Sequence, residues 1–214
     1  MMKLCVEAAI GLGKSTLLRN LKKMSDDMEE LEVVTEPVKS WRNVSGQDLL
    51  KLFAENPEKF SFQTQVHILS TMSSQREKKF EGKIVIFERS INASEFIFKP
   101  VLVEQGFLTN LESKILSDLY FSLSSRAPKL DAVIYLKGSA ELALTRIKSR
   151  KFECDEDLPL DYLQKIQEKH DEYIENIKAS GIEVLTIDAG KEEQTVATEA
   201  KEFIMKKYKE LSQS

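Results

Sequence analysis

Cysteine is nearly absent from this 214-residue chain, which holds two, Cys5 and Cys154. Two cysteines so far apart make neither a disulfide framework nor a zinc site. Cys5 lies in an apolar run and reads as core, and the expected compartment is reducing and cytoplasmic. Long hydrophobic runs are lacking as well. No stretch approaches the roughly 18 apolar residues of a membrane span. The chain starts Met1-Met2-Lys3 and enters an apolar run at once, so no signal or transit peptide is expected in it. An excess of basic charge is also missing: 31 Lys and Arg stand against 35 Asp and Glu, for a net charge of −4. That balance argues against a nucleic-acid partner, although a local basic cluster can still bind phosphates. Internal repeats and low-complexity linkers are absent too.

What is present is a chain 42% hydrophobic and 31% charged, enough for a sizeable core. The length suits one domain over residues 1–214. "KLCVEAA" (3–9), "LEVVTE" (31–36), "KIVIFER" (83–89), "DAVIYL" (131–136) and "IEVLTID" (182–188) read as buried strands. Between them, residues 14–25, 46–55, 57–78, 139–150 and 160–178 carry helical patterns; in the last, Leu163, Ile166, His170, Tyr173 and Ile177 fall at helix spacing. Strands alternating with helices predict an α/β fold, a five-stranded parallel sheet with helices on both faces. Residues 90–126 hold two further helical patterns, broken near Gly106 and richer in Phe, Leu and Ile than one sheet face requires. Extra core and a dimer interface both account for that surplus.

"EAAIGLGKST" (7–16) follows the first strand and opens the first helix. A phosphate-binding loop needs that context, because the helix N-terminus then faces the ligand. It needs inward backbone N–H groups, hence glycine where φ is positive. It needs a lysine for the phosphates and a hydroxyl for Mg²⁺. Gly11, Gly13, Lys14, Ser15 and Thr16 meet these needs, while Ala8 stands where the first glycine belongs. If that position has positive φ, alanine costs about 1–2 kcal/mol; if it is strand-like, almost nothing. Three more stretches lie at or just beyond the carboxyl ends of strands, where α/β sheets bind ligands. They are "TEPVKSWRNV" (35–44), "FERS" (87–90) and "RIKSRKFECDEDLPLDYL" (146–163).

Taken in that order, Glu-Pro-Val, Trp-Arg-Asn-Val, a Gln in the next helix and Glu-Arg-Ser resemble the deoxyribonucleoside kinase family, from Lys3 to about Asp188. The resemblance implies a P-loop kinase-like fold with a short lid near 147–158. It implies transfer of the ATP γ-phosphoryl group to the 5′-hydroxyl of a deoxynucleoside, with Mg²⁺ as cofactor. By resemblance Glu36 is the general base, Arg89 holds Glu36 and the 5′-oxygen, and Ser15 with Glu88 holds Mg²⁺. Lys14 and the lid cations Arg146 and Arg150 reach the phosphates; 146 and 150 share a helix face. Gln65 reads the base edge with its paired donor and acceptor. Trp41 and Phe98 wall the base, and Phe53, Ile68 and Met72 line the rest. On periodicity alone, Phe53, Ile68, Met72 and Phe98 are simply core.

Met72 and Ser94 stand where deoxycytidine kinase-like members place an Arg and an Asp, so the resemblance is nearer the thymidine-preferring and broad-specificity branch. Five positions depart from the pattern: Ala8, Ala54 for a tyrosine on the 3′-hydroxyl, Thr64 for an aromatic, Phe152 for a lid arginine, and Asp155 for a glutamate that also binds the 3′-hydroxyl. Two of these weaken sugar recognition, which implies weak substrate affinity or an altered sugar tolerance. His67, one turn from Gln65, is either a partial replacement for the tyrosine or a helix-surface histidine. Two other readings stay open: a nucleoside monophosphate kinase of thymidylate type, and a non-catalytic nucleotide-binding relative. A homodimer through the helices of 90–126 is a family expectation.

Overall fold

The computed structural model describes residues 1–24, 31–149 and 158–213. Five parallel strands form one sheet: β1 (Met2–Glu7), β2 (Leu31–Val34), β3 (Ile84–Glu88), β4 (Ala132–Lys137) and β5 (Glu183–Asp188), in the order β2-β3-β1-β4-β5. Each expected strand is present. β3 is buried at every position and β1 at nearly every one, as a strand must be when helices cover both faces. β1 sits centrally, with Val6 opposite Glu88 on one side and Glu7 opposite Tyr135 on the other. The chain leaves β1 toward the helix side and returns to the far edge for β2. The carboxyl ends of β1 and β3 thus lie together, at the point where strand order reverses.

α1 (Lys14–Lys23) follows the loop after β1. Its apolar residues Leu17, Leu18 and Leu21 are buried, and Lys22 and Lys23 close the last turn, where cations suit the helix dipole. After β2 come a single turn α2 (Val38–Trp41), then α3 (Leu49–Glu55) and α4 (Pro57–Arg76). The sequence pattern starts α3 at 46, three residues early. Val44 and Gln47 pair across a tight turn, Ser45 and Gly46 take positive φ, and Asp48 caps the helix by accepting from Lys51 N. Asn56 caps α4 in the same way, with Pro57 at the first helical position.

The surplus of apolar residues in 90–126 supplies extra core and also leaves apolar side chains exposed. A π-turn (Ser94–Phe98) runs into α5 (Lys99–Glu104), and Gly106, at φ +76, turns the chain toward α6 (Asn110–Ser124). Leu102, Leu108, Leu116 and Tyr120 join Trp41, Leu69, Met72 and Ile91 in a second core beside the sheet. Leu111 and Phe121 remain exposed, at 70% and 59%. α7 (Ala140–Ser149) and α8 (Leu160–Ala179) flank β4 and β5. The chain then adds α9 (Glu193–Ser212), which the strand–helix reading leaves out; Val196, Ala197, Ala200 and Ile204 bury one stripe of it, and it packs on α1 and β5. Among the described residues no helix is long and apolar enough to cross a membrane.

Candidate active site

The loop from Ala8 to Gly13 wraps the N-terminus of α1. Gly11 and Gly13 take φ of +84° and +94°, as a turn with inward N–H groups requires. Ala8 does not take positive φ and is fully buried, so its replacement of glycine costs no backbone strain. A side chain on Gly11 is a different matter. Its Cβ would lie 2.7 Å from the carbonyl oxygen of Ala143 and 2.8 Å from Ile147 Cγ1. Gly11→Ala combines left-handed strain with overpacking and should destabilise the protein by roughly 2–5 kcal/mol, whereas Ala8→Gly should lower stability slightly and leave nucleotide affinity unchanged. Thermal melts with and without ATP-Mg²⁺ check both; a gain in ATP affinity for Ala8→Gly would restore the strained-turn reading.

Lys14 is buried, and its Nζ donates to the carbonyls of Ala8 (2.9 Å) and Ala9 (3.3 Å). Burial first, then the nearby Arg89 charge, lowers its pKa to about 8. Ser15 Oγ donates to Glu88 Oε1 at 2.5 Å, and Glu88 Oε2 accepts from the backbone N–H of Glu36 at 3.1 Å. One carboxylate thus ties the phosphate loop to the end of β2. Arg89 Nε donates to Glu36 Oε1 at 2.7 Å in an ion pair whose side chains are only 7% and 15% exposed. Burial works against the charge on Arg89, but the carboxylates of Glu36 and Glu7 outweigh it and hold the guanidinium more firmly protonated than usual.

His170 approaches from α8, with Nδ1 2.8 Å from the Ile166 carbonyl and Nε2 3.4 Å from Arg89 Nη1. Burial, then Arg89, pushes its pKa well below the ordinary histidine range, so the ring is neutral: Nδ1–H donates to the carbonyl and Nε2 accepts from the arginine. The Phe98 ring lies under the Arg89 guanidinium, 4.9 Å away.

Beyond this pair opens a cavity of about 260 Å³. Trp41, Phe53, Ala54, Gln65, Ile68, Ser94 and Phe98 line it, together with Lys14, Ser15, Glu36, Glu88 and Arg89. Trp41 is fixed by a hydrogen bond from Nε1 to Thr71 Oγ1. Gln65 Oε1 and Thr64 Oγ1, both on cavity-lining residues, are buried without a protein partner, and a buried unpaired acceptor calls for a donor from outside. Met72 does not line this cavity; it packs behind the wall in the second core, one turn of α4 too deep. His67 does not line it either. Its Nε2 is buried without a partner away from the cavity.

A second cavity of about 280 Å³ meets the first at Gly13 and is lined by Thr16, Arg146, Lys191 and Glu193 among others. Arg146 donates there to the Ala189 carbonyl at 2.8 Å. Arg150, Phe152 and Asp155, with most of the expected lid, lie outside the described residues. Among the described residues no cluster of three or more His, Cys, Asp or Glu is placed to hold a metal ion.

Two cavities that share Gly13 of a phosphate loop, at the switch point of a parallel sheet, define a phosphotransferase of the P-loop kinase fold. Residues 4–213 match the family described as deoxynucleoside kinase, and the chain belongs to that family. It is 30% identical to deoxycytidine kinase of Mus musculus over 238 residues, covering 94% of this chain and 90% of that protein. It is 31% identical to deoxycytidine kinase of Bos taurus over 197 residues, or 80% and 75% of the two chains. It is also 30% identical to mitochondrial thymidine kinase 2 of Homo sapiens over 172 residues, 80% of this chain and 63% of that one. The protein is therefore an enzyme that phosphorylates a nucleoside hydroxyl, and the monophosphate-kinase and binding-only readings fall away. Sequence reasoning had no signal for Ile10, Leu50, Leu158 and Tyr162, which also line the first cavity; their positions follow from packing alone.

Proposed function

We propose that the protein transfers the γ-phosphoryl group of ATP to the 5′-hydroxyl of a deoxynucleoside, favouring pyrimidines such as thymidine. The observation that carries this reading is the Glu36–Arg89 pair, set between the phosphate loop and a cavity lined by Gln65, whose amide oxygen is buried without a partner. Glu36 takes the proton from the 5′-hydroxyl as that oxygen attacks phosphorus. Arg89 keeps Glu36 ionised and oriented, and neutralises charge on the attacking oxygen. Lys14 and the loop N–H groups stabilise the charge spread over the transferring group. ATP would supply the phosphoryl group, and a bound Mg²⁺ would supply neutralisation of phosphate charge. Ser15 and Glu88 are the groups to hold the ion: one hydroxyl and one carboxylate suit Mg²⁺, which keeps most of its waters. Thr16 and Arg146 line the second cavity, on the donor's side of the loop, and family resemblance supports Arg150 as a further contact to the phosphates.

On the acceptor side, Gln65 pairs with the base edge, Trp41, Phe53, Ile68 and Phe98 enclose the ring, and Asp155 is expected near the sugar. Small Ser94 leaves room at the base edge, which supports acceptance of thymine. Incubation with ATP-Mg²⁺ and each of the four deoxynucleosides should yield 5′-monophosphates, fastest with thymidine or deoxycytidine; turnover of purines alone would overturn the base preference. Ala54 lines the cavity with no side chain to reach the sugar. Ala54→Tyr should lower KM for the deoxynucleoside by about 3–10-fold, the worth of one hydrogen bond. The exposed apolar residues of α6, Leu111, Ile115 and Phe121, support pairing with a second copy of the chain, which sedimentation of Leu111→Glu against the parent checks.

A further inference from the structure

Arg89 has a φ of +61°, one of two non-glycine residues with positive φ among those described. In a regular strand successive side chains point to opposite faces. Glu88 and Arg89 are successive, yet both line the same cavity. The left-handed turn at Arg89 is where the alternation breaks, and it brings the guanidinium to the side where Glu36 waits. A side chain does not hold that backbone conformation unaided, so the surroundings must impose it.

They do so at one peptide group, the link from Arg89 to Ser90. Its carbonyl oxygen accepts a hydrogen bond from Nη2 of Arg76. Its N–H donates to Oε1 of Glu7 at 2.8 Å. The preceding peptide is fixed as well, since Arg89 N–H donates to the Val6 carbonyl at 2.9 Å and so continues the sheet ladder. Arg76 is 7% exposed and Glu7 fully buried. Arg76 is seated by its own contacts: Nη1 donates to the Met72 carbonyl at 2.9 Å, and the guanidinium lies over the Phe87 ring at 5.0 Å. Glu7 uses one oxygen here; its Oε2 is buried without a partner. Neither residue lines the cavity. A cation from the end of α4 and a carboxylate from the end of β1 thus grip opposite ends of one peptide dipole. Burying two such groups away from the ligand has no use for affinity, but it fixes the plane of that peptide.

We infer that Glu7 and Arg76 are positioning residues that clamp the Arg89–Ser90 peptide and thereby aim the Arg89 side chain at Glu36. The inference rests on the catalytic reading of the Glu36–Arg89 pair for its effect on rate, but not for its effect on geometry.

The test uses the full chain with Arg76→Met, Arg76→Gln, Glu7→Leu and Glu7→Gln. Arg76→Met and Glu7→Leu should lower kcat for the best deoxynucleoside at least tenfold with KM changed less than threefold. Glu7→Gln should stay within threefold of the parent, because its amide oxygen still accepts from Ser90. Arg76→Gln, which keeps one donor for the Arg89 carbonyl, should fall between Met and the parent; if the Met variant does not fold, Arg76→Gln carries the comparison. In a Glu36→Gln background, Arg76→Met should add less than a threefold further loss, since a step already disabled has no geometry left to lose. A full additive loss there would mark Arg76 as merely structural and overturn the proposal. The geometry is read separately, by solvent exchange of the Arg89 Nε–H in ¹⁵N-labelled protein. Arg76→Met, or Arg76→Gln in its place, should speed that exchange several-fold. Unchanged exchange overturns the clamp even if the parent turns over no deoxynucleoside, an outcome that would sink the proposed reaction alone.

Discussion

Glu36→Gln should lower kcat by about 10²–10⁴ while leaving deoxynucleoside affinity within a few-fold, the range set by loss of a general base. The amide keeps an oxygen where Oε1 now accepts from Arg89 Nε at 2.7 Å, so the pocket wall and the arginine stay in place. What disappears is the capacity to take a proton. Arg89 also loses its ionic partner in a nearly dry site, which should cost about 1–3 kcal/mol of stability. Steady-state kinetics, binding of deoxynucleoside by calorimetry and a thermal melt separate these effects. A rate within a few-fold of the parent would remove Glu36 from its role, and an equal loss of affinity would make it a substrate anchor.

Lys14→Met should abolish most turnover and, at neutral pH, make the empty protein more stable. Removing one preorganised donor to the developing charge costs about 10²–10³ in rate. The stability effect has the opposite sign because Lys14 is held against its preference. Its pKa falls from 10.5 to about 8, chiefly through burial and secondarily through the charge on Arg89. Between those values the unfolded chain binds more protons than the folded one, so stability rises with pH from about 8 to 10.5. Below pH 8 the penalty is fully present, worth up to ~3 kcal/mol. The methionine has no such titration. Urea unfolding should show the variant ahead of the parent at pH 7, with the gap closing toward pH 10. A gap independent of pH would mean that the penalty does not come from burying the Lys14 charge, and a parent ahead of the variant at pH 7 would make its grip on the Ala8 and Ala9 carbonyls net stabilising. Phosphate binding should reverse the order, since ATP supplies the negative charge that the buried ammonium lacks.

The strands and the phosphate loop were legible in the residues because their signals are local. A run such as "KIVIFER" is apolar over a strand's length, and Gly11-x-Gly13-Lys14-Ser15 needs only its own backbone and the helix behind it. Glu36 and Glu88-Arg89 stood out by motif, and Gln65, Trp41 and Phe98 by family pattern. Local sequence could not decide Ala8, whose cost turned on a φ that the folded loop alone fixes. It could not place Met72, because one helix turn separates the cavity wall from the core behind it. It gave no hint of Arg76 or His170 beside Arg89, since residues 13 and 81 positions away meet only through packing. The apolar 90–126 stretch was ambiguous for the same reason: composition counts apolar side chains, but only neighbours determine that Leu116 is buried and Leu111 is not.

By itself, then, the sequence determined the parallel α/β architecture and the phosphate loop, and it singled out the groups proposed for phosphoryl transfer. Periodicity and short-range backbone chemistry act over a few residues, and both are written in residue order. The tertiary structure decided which of those groups meet, how dry they are and what holds them. Burial lowers Lys14 and keeps His170 neutral, and a left-handed Arg89, gripped through its peptide by Glu7 and Arg76, faces Glu36 across the switch point. Those facts depend on distances between segments far apart in the chain, and such distances exist only once the sheet has closed and the helices have packed onto it.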